Sequence, residues 1–187
     1  MRLLKVLILC FLLSACVFGT TQNSKFYTLT AQQIEPLSNK NLNFIGVNRI
    51  QLPKYMDRPQ IVTQSLDSNE MIVSEYNRWV ESPAVLMSRI LTEDLSNLLP
   101  KTQIKINPFG TEKFDKIVSV EIVKMDAILG GKAELEAWYT IKNNSGKVLI
   151  RHKFSDSVKI GKSYDDLAVG YSNLLMNLSK QIGQSLI

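Results

Sequence analysis

Histidine occurs once in this chain and cysteine only twice. A Cys/His zinc site therefore lacks ligands, and two cysteines cannot frame a disulfide scaffold. No Gly-x-Ser-x-Gly elbow offers an activated serine. No glycine-rich loop cradles phosphate. Gly161-Lys162-Ser163 has the look of a P-loop ending, but five residues earlier, where that motif needs glycine, stands Asp156. A catalytic His152 would need a nucleophile and an orienting acid, and the pattern supplies neither. Its place on the apolar face of a strand points to a hydrogen-bonded structural role. Asp165-Asp166 reads as a helix first turn, where the dipole favours carboxylates, rather than as an acid/base pair. These absences argue against an enzyme, with no cofactor and no metal expected. Charge of one sign is also scarce. Lys and Arg number 22 against 17 Asp and Glu, and removing Arg2 and Lys5 with the leader described next leaves 20 − 17 = +3. That scattered excess does not make a nucleic-acid stripe.

What is present begins at the N-terminus. Met1 to Lys5 is short and basic, Val6 to Leu13 is apolar, and Ser14-Ala15 are small. This is the order of a secretory signal, and its apolar run is about half the ~20 residues a spanning helix needs. Leu13-Ser14-Ala15-Cys16 resembles the lipobox of bacterial lipoproteins. The resemblance implies cleavage between Ala15 and Cys16, with diacylglyceryl and acyl (palmitate-type) modification of Cys16. Two or more acyl chains make a stable anchor where one does not. Cys10 leaves with the leader and Cys16 is consumed by lipid, so no thiol remains in the mature chain. Val17 stands where Asp would retain a lipoprotein at the inner membrane, which points to the outer membrane. The expected organisation is a signal peptide over 1–15, the lipidated Cys and a short tether over 16–25, and one periplasmic domain over 26–187.

Within that domain, Phe26-Tyr27-Thr28-Leu29 reads as a short strand and Asn43 to Leu52 as a mostly buried one. Gln60 to Gln64 and Glu70 to Trp79 read as a hairpin around the turn residues Leu66-Asp67-Ser68-Asn69. Ser82-Pro83 reads as N-cap and first position of a helix that Pro100 ends, with Met87, Leu91, Leu95 and Leu98 at helical spacing. Thr102 to Ile106 is a further strand. Phe114 to Met125, Glu134 to Lys142 and Val148 to Ile160 alternate apolar and polar residues, as antiparallel strands with one wet face do. Asn143-Asn144-Ser145-Gly146 joins the last two. Ser163 to Asp166 reads as a capping box for a final helix striped by Leu167, Tyr171, Leu174, Leu178, Ile182 and Leu186. The expected fold is α+β, a two-layer sandwich of a largely antiparallel sheet packed with two amphipathic helices.

Two segments, Leu52 to Gln60 and Glu75 to Glu81, mix aromatics with arginine, the composition of binding hot spots. Tyr55, Arg58, Tyr76, Arg78 and Trp79 are the candidate docking residues. The same pattern also suits structure: Pro53 and Pro59 fix the chain, and an indole such as Trp79 is a good core filler. These segments, with Phe26-Tyr27-Thr28-Leu29, Ile45-Gly46-Val47, Leu52-Pro53-x-Tyr55-Met56-Asp57-Arg58-Pro59-Gln60, Arg78-Trp79-Val80-Glu81 and Leu98-Leu99-Pro100, resemble the ABC-type transport auxiliary lipoproteins, the PqiC-like family. Where that family carries Glu-Pro-Leu after the Trp, this chain has Glu81-Ser82-Pro83. The resemblance implies an outer-membrane lipoprotein beside an MCE-type lipid-transport system. Its partners would be the membrane, through the N-terminal lipid, an MCE-type transport protein, phospholipid, and further copies of itself. The rivals are an assembly lipoprotein for another envelope machine and a periplasmic hydrolase.

Overall fold

The computed structural model describes residues 22–107 and 113–187. The leader, the lipobox with Cys16 and most of the tether lie outside the described residues. The strands are β1 (Lys25–Tyr27), β2 (Phe44–Asn48), β3 (Gln60–Gln64), β4 (Met71–Trp79), β5 (Gln103–Asn107), β6 (Lys116–Ala127), β7 (Lys132–Asn143) and β8 (Val148–Lys159). The helices are α1 (Pro83–Leu98) and α2 (Tyr164–Leu186).

Alternation builds the largest layer. On β7, Ala133, Leu135, Ala137, Tyr139 and Ile141 are all buried, while Glu134, Glu136 and Thr140 face the other way. β7 pairs antiparallel with β6 and β8 along nearly its whole length. The wet face carries Lys124–Glu134 and Lys153–Glu136 ion pairs at 2.6 and 2.7 Å. The tight turn into β8 needs a left-handed residue, and Gly146 supplies it at φ 81°. The apolar stripes of α1 and α2 cover the sheet's dry face in the two-layer α+β arrangement expected. Ser163 caps α2 as read: its Oγ accepts from Asp166 N–H, and Asp166 Oδ2 accepts from Ser163 N–H, both at 3.0 Å.

Several local expectations are corrected. The strands form two sheets, ordered β1-β4-β3 and β5-β2-β6-β7-β8. β1 pairs parallel with β4, and β2 parallel with both β5 and β6. β2 stops at Asn48 rather than Leu52, because Ile50 N–H turns to Ser88 Oγ on α1 at 2.8 Å. Gln51 then adds only a single bridge to Glu121. His152 is exposed, not a buried hydrogen-bonded residue. It shares the helix-side face with Phe154, but β8 is the sheet edge, and its imidazole simply lies 6.0 Å from the Tyr139 ring. Ser82 occupies the N-cap position of α1 yet makes no cap hydrogen bond; its hydroxyl is turned elsewhere, as described below.

Candidate functional site

The small sheet has two chemically different ends, and the register of its strands sets them. β3 and β4 pair as the expected hairpin, with Val62 opposite Val73 and Gln60 opposite Arg78. Two steps along β3 thus match five along β4, and the three extra residues form a wide bulge. Ser74 Oγ holds it, accepting from the Asn77 backbone N–H at 3.1 Å and the Asn77 amide at 2.8 Å. The bulge leaves Tyr76 exposed. β1 runs alongside β4 in the same direction, with Lys25 opposite Asn77 and Tyr27 opposite Trp79. β1 therefore points away from the β3–β4 turn and pairs only with the far end of β4, Phe26 lying opposite Arg78.

At the opposite end lie the Pro53–Pro59 loop and the junction of β4 with α1. Met56 and Asp57 N–H groups both donate to Pro53 C=O, and Pro59 C=O accepts from Trp79 N–H at 2.7 Å. Met56 plugs the loop into the core. Tyr55 donates to Asp126 Oδ1 on β6 at 2.7 Å; burial and this carboxylate push its hydroxyl well above the ordinary tyrosine range. Ser82 Oγ accepts from Arg49 Nη2 at 3.2 Å and donates to Asp57 Oδ1 at 3.1 Å. The hydroxyl that would cap α1 instead ties the loop to the helix start.

Of the five predicted docking residues, Arg58 and Arg78 flank this one sheet end, on the residue preceding Pro59 and opposite Gln60. Both are half-buried. Arg58 Nε is buried with no hydrogen-bond partner, and Arg78 Nε reaches only Glu75 C=O at 3.3 Å. Trp79 is a core residue, stacked on Tyr171 at 6.2 Å and 25°. Tyr76 is free at the surface, whereas the Tyr55 hydroxyl is spent on Asp126. Exposed Val80 follows two residues after Arg78.

Sequence reasoning missed the neighbouring groove on the wet face of the large sheet. Asn48, Arg49, Gln51, Ser119, Glu121, Trp138 and Arg151 line a hollow of about 120 Å³. Asn107 donates to Asn48 at 3.0 Å and Asn48 to Ser119 at 2.8 Å, so the polar row is built across strands. Arg151 sits 5.1 Å over the Trp138 ring. Among the described residues there is no cluster of three or more metal-ligating side chains, and no helix long and apolar enough to cross a membrane.

A family model for the ABC-type transport auxiliary lipoprotein component matches residues 27–183. The chain belongs to this family. The auxiliary lipoproteins are components of ABC-type transport, a membrane-anchored envelope setting, and are not a known enzyme family. The fold is also shared with solved structures. A crystal structure of an uncharacterized protein aligns at TM-score 0.73 and 17% identity, over 89% of this chain and all of that one. A Xanthomonas campestris protein aligns at 0.70 and 12%, over 87% and 95%. The PelC dodecamer from Paraburkholderia phytofirmans aligns at 0.50 and 10%, over 81% and 93%. Comparison with curated proteins yields no match.

Proposed function

We propose that this auxiliary lipoprotein is held at the outer membrane by Cys16, faces the periplasm, and docks an MCE-type lipid-transport partner through the Arg58–Arg78 end of its small sheet. The observation carrying this reading is the pairing at that end of the sheet: Arg78 stands opposite Gln60 on one side and exposed Phe26 on the other, with half-buried Arg58 just before Pro59. Arginines beside exposed apolar side chains have the composition of a binding surface. Arg58 is half-buried, and a guanidinium supplies the directional donors that dominate interface energy. Exposed Tyr76 and Val80 add apolar area on either side of Arg78 in the chain. The role is binding, with lipid passing beside or through the assembly.

The test is cross-linked co-purification from whole membranes with the double variant Arg58→Ala/Arg78→Ala. Retained melting temperature with partner binding weakened by at least about 1 kcal/mol, roughly fivefold, is the expected result. A folded double variant that binds at wild-type strength ends the docking role.

A further inference from the structure

We infer that the tip of the β3–β4 hairpin is a second membrane contact, which rests on the bilayer that holds the anchor. Four large apolar side chains stand in the open at this tip. Leu66 is 73% exposed, Ile72 45%, Val73 39% and Met71 38%. Apolar side chains scattered singly on a surface need no explanation, but four on one hairpin do. The turn itself is closed and ordered, with Ser65 N–H donating to Glu70 C=O at 2.9 Å and Ser68 Oγ accepting from Glu70 N–H at 3.2 Å.

Topology says what covers them. β1 runs parallel to β4, so that Lys25, its first residue, lies on the hairpin-tip side of the strand. Six residues of β4 at ~3.3 Å each put Met71 at most ~20 Å beyond Lys25, and Leu66 in the turn lies about two residues farther, roughly 27 Å in all. Nine residues separate Cys16 from Lys25 and span at most ~30 Å. A bilayer holding Cys16 is therefore within reach of Leu66. This step rests on the Cys16 anchor proposed above.

Charge agrees with a bilayer rather than with an acidic or basic protein face. Leu66 shares a cleft with Lys132 at the start of β7 and Lys159 at the end of β8, and Lys162 lies over Gly130 in the β6–β7 turn. Asp67 and Glu70 offset these lysines on the hairpin. The near-balance leaves apolar area as the attraction, so the contact is indifferent to salt and to anionic lipid content. Long lysine stems beside it can keep their ammonium groups at headgroup level. A single point of attachment lets the domain tumble; a second point of contact fixes which end faces outward.

The experiment uses acylated full-length protein in vesicles of phosphatidylethanolamine and phosphatidylglycerol. Palmitate-analogue labelling first establishes acylation of Cys16. An environment-sensitive fluorophore is then attached through Leu66→Cys, and in a separate sample through Ser145→Cys in the exposed β7–β8 turn. The expected result is at least a twofold rise in emission at position 66, quenched by brominated lipid and unchanged between 50 and 500 mM salt, with position 145 unaffected. Acylated protein whose position 66 stays in water overturns the inference and spares the anchor. So does a rise at 66 that tracks protein concentration without brominated-lipid quenching, which would identify a second copy as the occupant. A mature protein without acylation overturns the anchor reading and this inference with it.

Discussion

Replacing Asp94 with asparagine should stabilise the domain at neutral pH. Asp94 is fully buried on α1, between α2 and the segment that follows β1. Its Oδ1 accepts from Gln32 N–H at 3.1 Å and its Oδ2 from Ser179 Oγ at 3.2 Å. Two neutral donors do not offset the loss of water, and burial raises its pKa from 3.8 to about 6. The raised folded pKa fixes the sign. Below about pH 4 the carboxyl is neutral whether folded or not, and costs nothing. Between pH 4 and 6 the unfolded chain loses its proton first, so stability falls. Above pH 6 the full cost is present. Two units correspond to about 3 kcal/mol, which relaxation around the site reduces to roughly 1–3 kcal/mol. Asparagine keeps the geometry. Its carbonyl accepts from Gln32, and its amide donates to Ser179 Oγ, whose own proton goes to Leu175 C=O at 2.8 Å. Urea denaturation followed by circular dichroism from pH 4 to 8 would give two curves that converge at pH 4 and separate by pH 7. Comparing wild type with variant cancels other titrations, such as that of Glu134, whose pKa its lysine partners lower. A difference flat across this range, or a variant less stable at pH 7.5, would refute the reasoning.

Gly46→Ala should destabilise by about 1–3 kcal/mol, because a Cβ there would meet the Phe114 ring at 2.5 Å. Adding Phe114→Ala should return part of that loss, which a thermal-melt double-mutant cycle would measure. Phe154→Ala should cost about 3 kcal/mol, whereas Lys153→Ala, one residue along on the wet face, should lose only its exposed pair with Glu136 and stay within about 1 kcal/mol. Equal melting temperatures for those two variants would contradict the strand register. Ser163→Ala should cost about 1 kcal/mol by removing the α2 cap, read in the same denaturation assay.

Legibility followed locality. The β6–β7–β8 meander could be read because hairpin partners are adjacent in sequence and each strand shows one wet face. The α2 cap was equally local. The parallel pairs were not, since β1 joins β4 across about fifty residues and five-residue β2 is buried without clear alternation. Ser82 misled because its sequence position suits a cap, while its hydroxyl is turned to donate to Asp57 and accept from Arg49, and so accepts from no helix N–H. Asp94 had a signal that was passed over: it lies among Ile90, Leu91, Leu95 and Leu98 on the helix's apolar stripe. An acid in that stripe is either solvated at an edge or buried with donors, and only tertiary structure decides which. Of the candidate site, the segments were visible but their division was not. Trp79 entered the core, Tyr55 was fixed to Asp126, and the bulge pushed Tyr76 out.

The short β1 strand thus has an importance out of proportion to its three residues. It places exposed Phe26 opposite Arg78, and its parallel direction means that β1 is entered from the side of the β3–β4 turn. The observed direction is held by Tyr27 donating to Asn77 Oδ1 at 3.0 Å and by Val80 N–H donating to Tyr27 C=O at 2.9 Å. Just beyond, Thr30 N–H donates to Ser172 Oγ on α2 at 3.1 Å. Under the anchorage proposed above, tension would pull along β1, parallel to its neighbour, and would load these bonds together in shear rather than one at a time. The β1–β4 pairing would therefore resist the force that such an anchorage imposes.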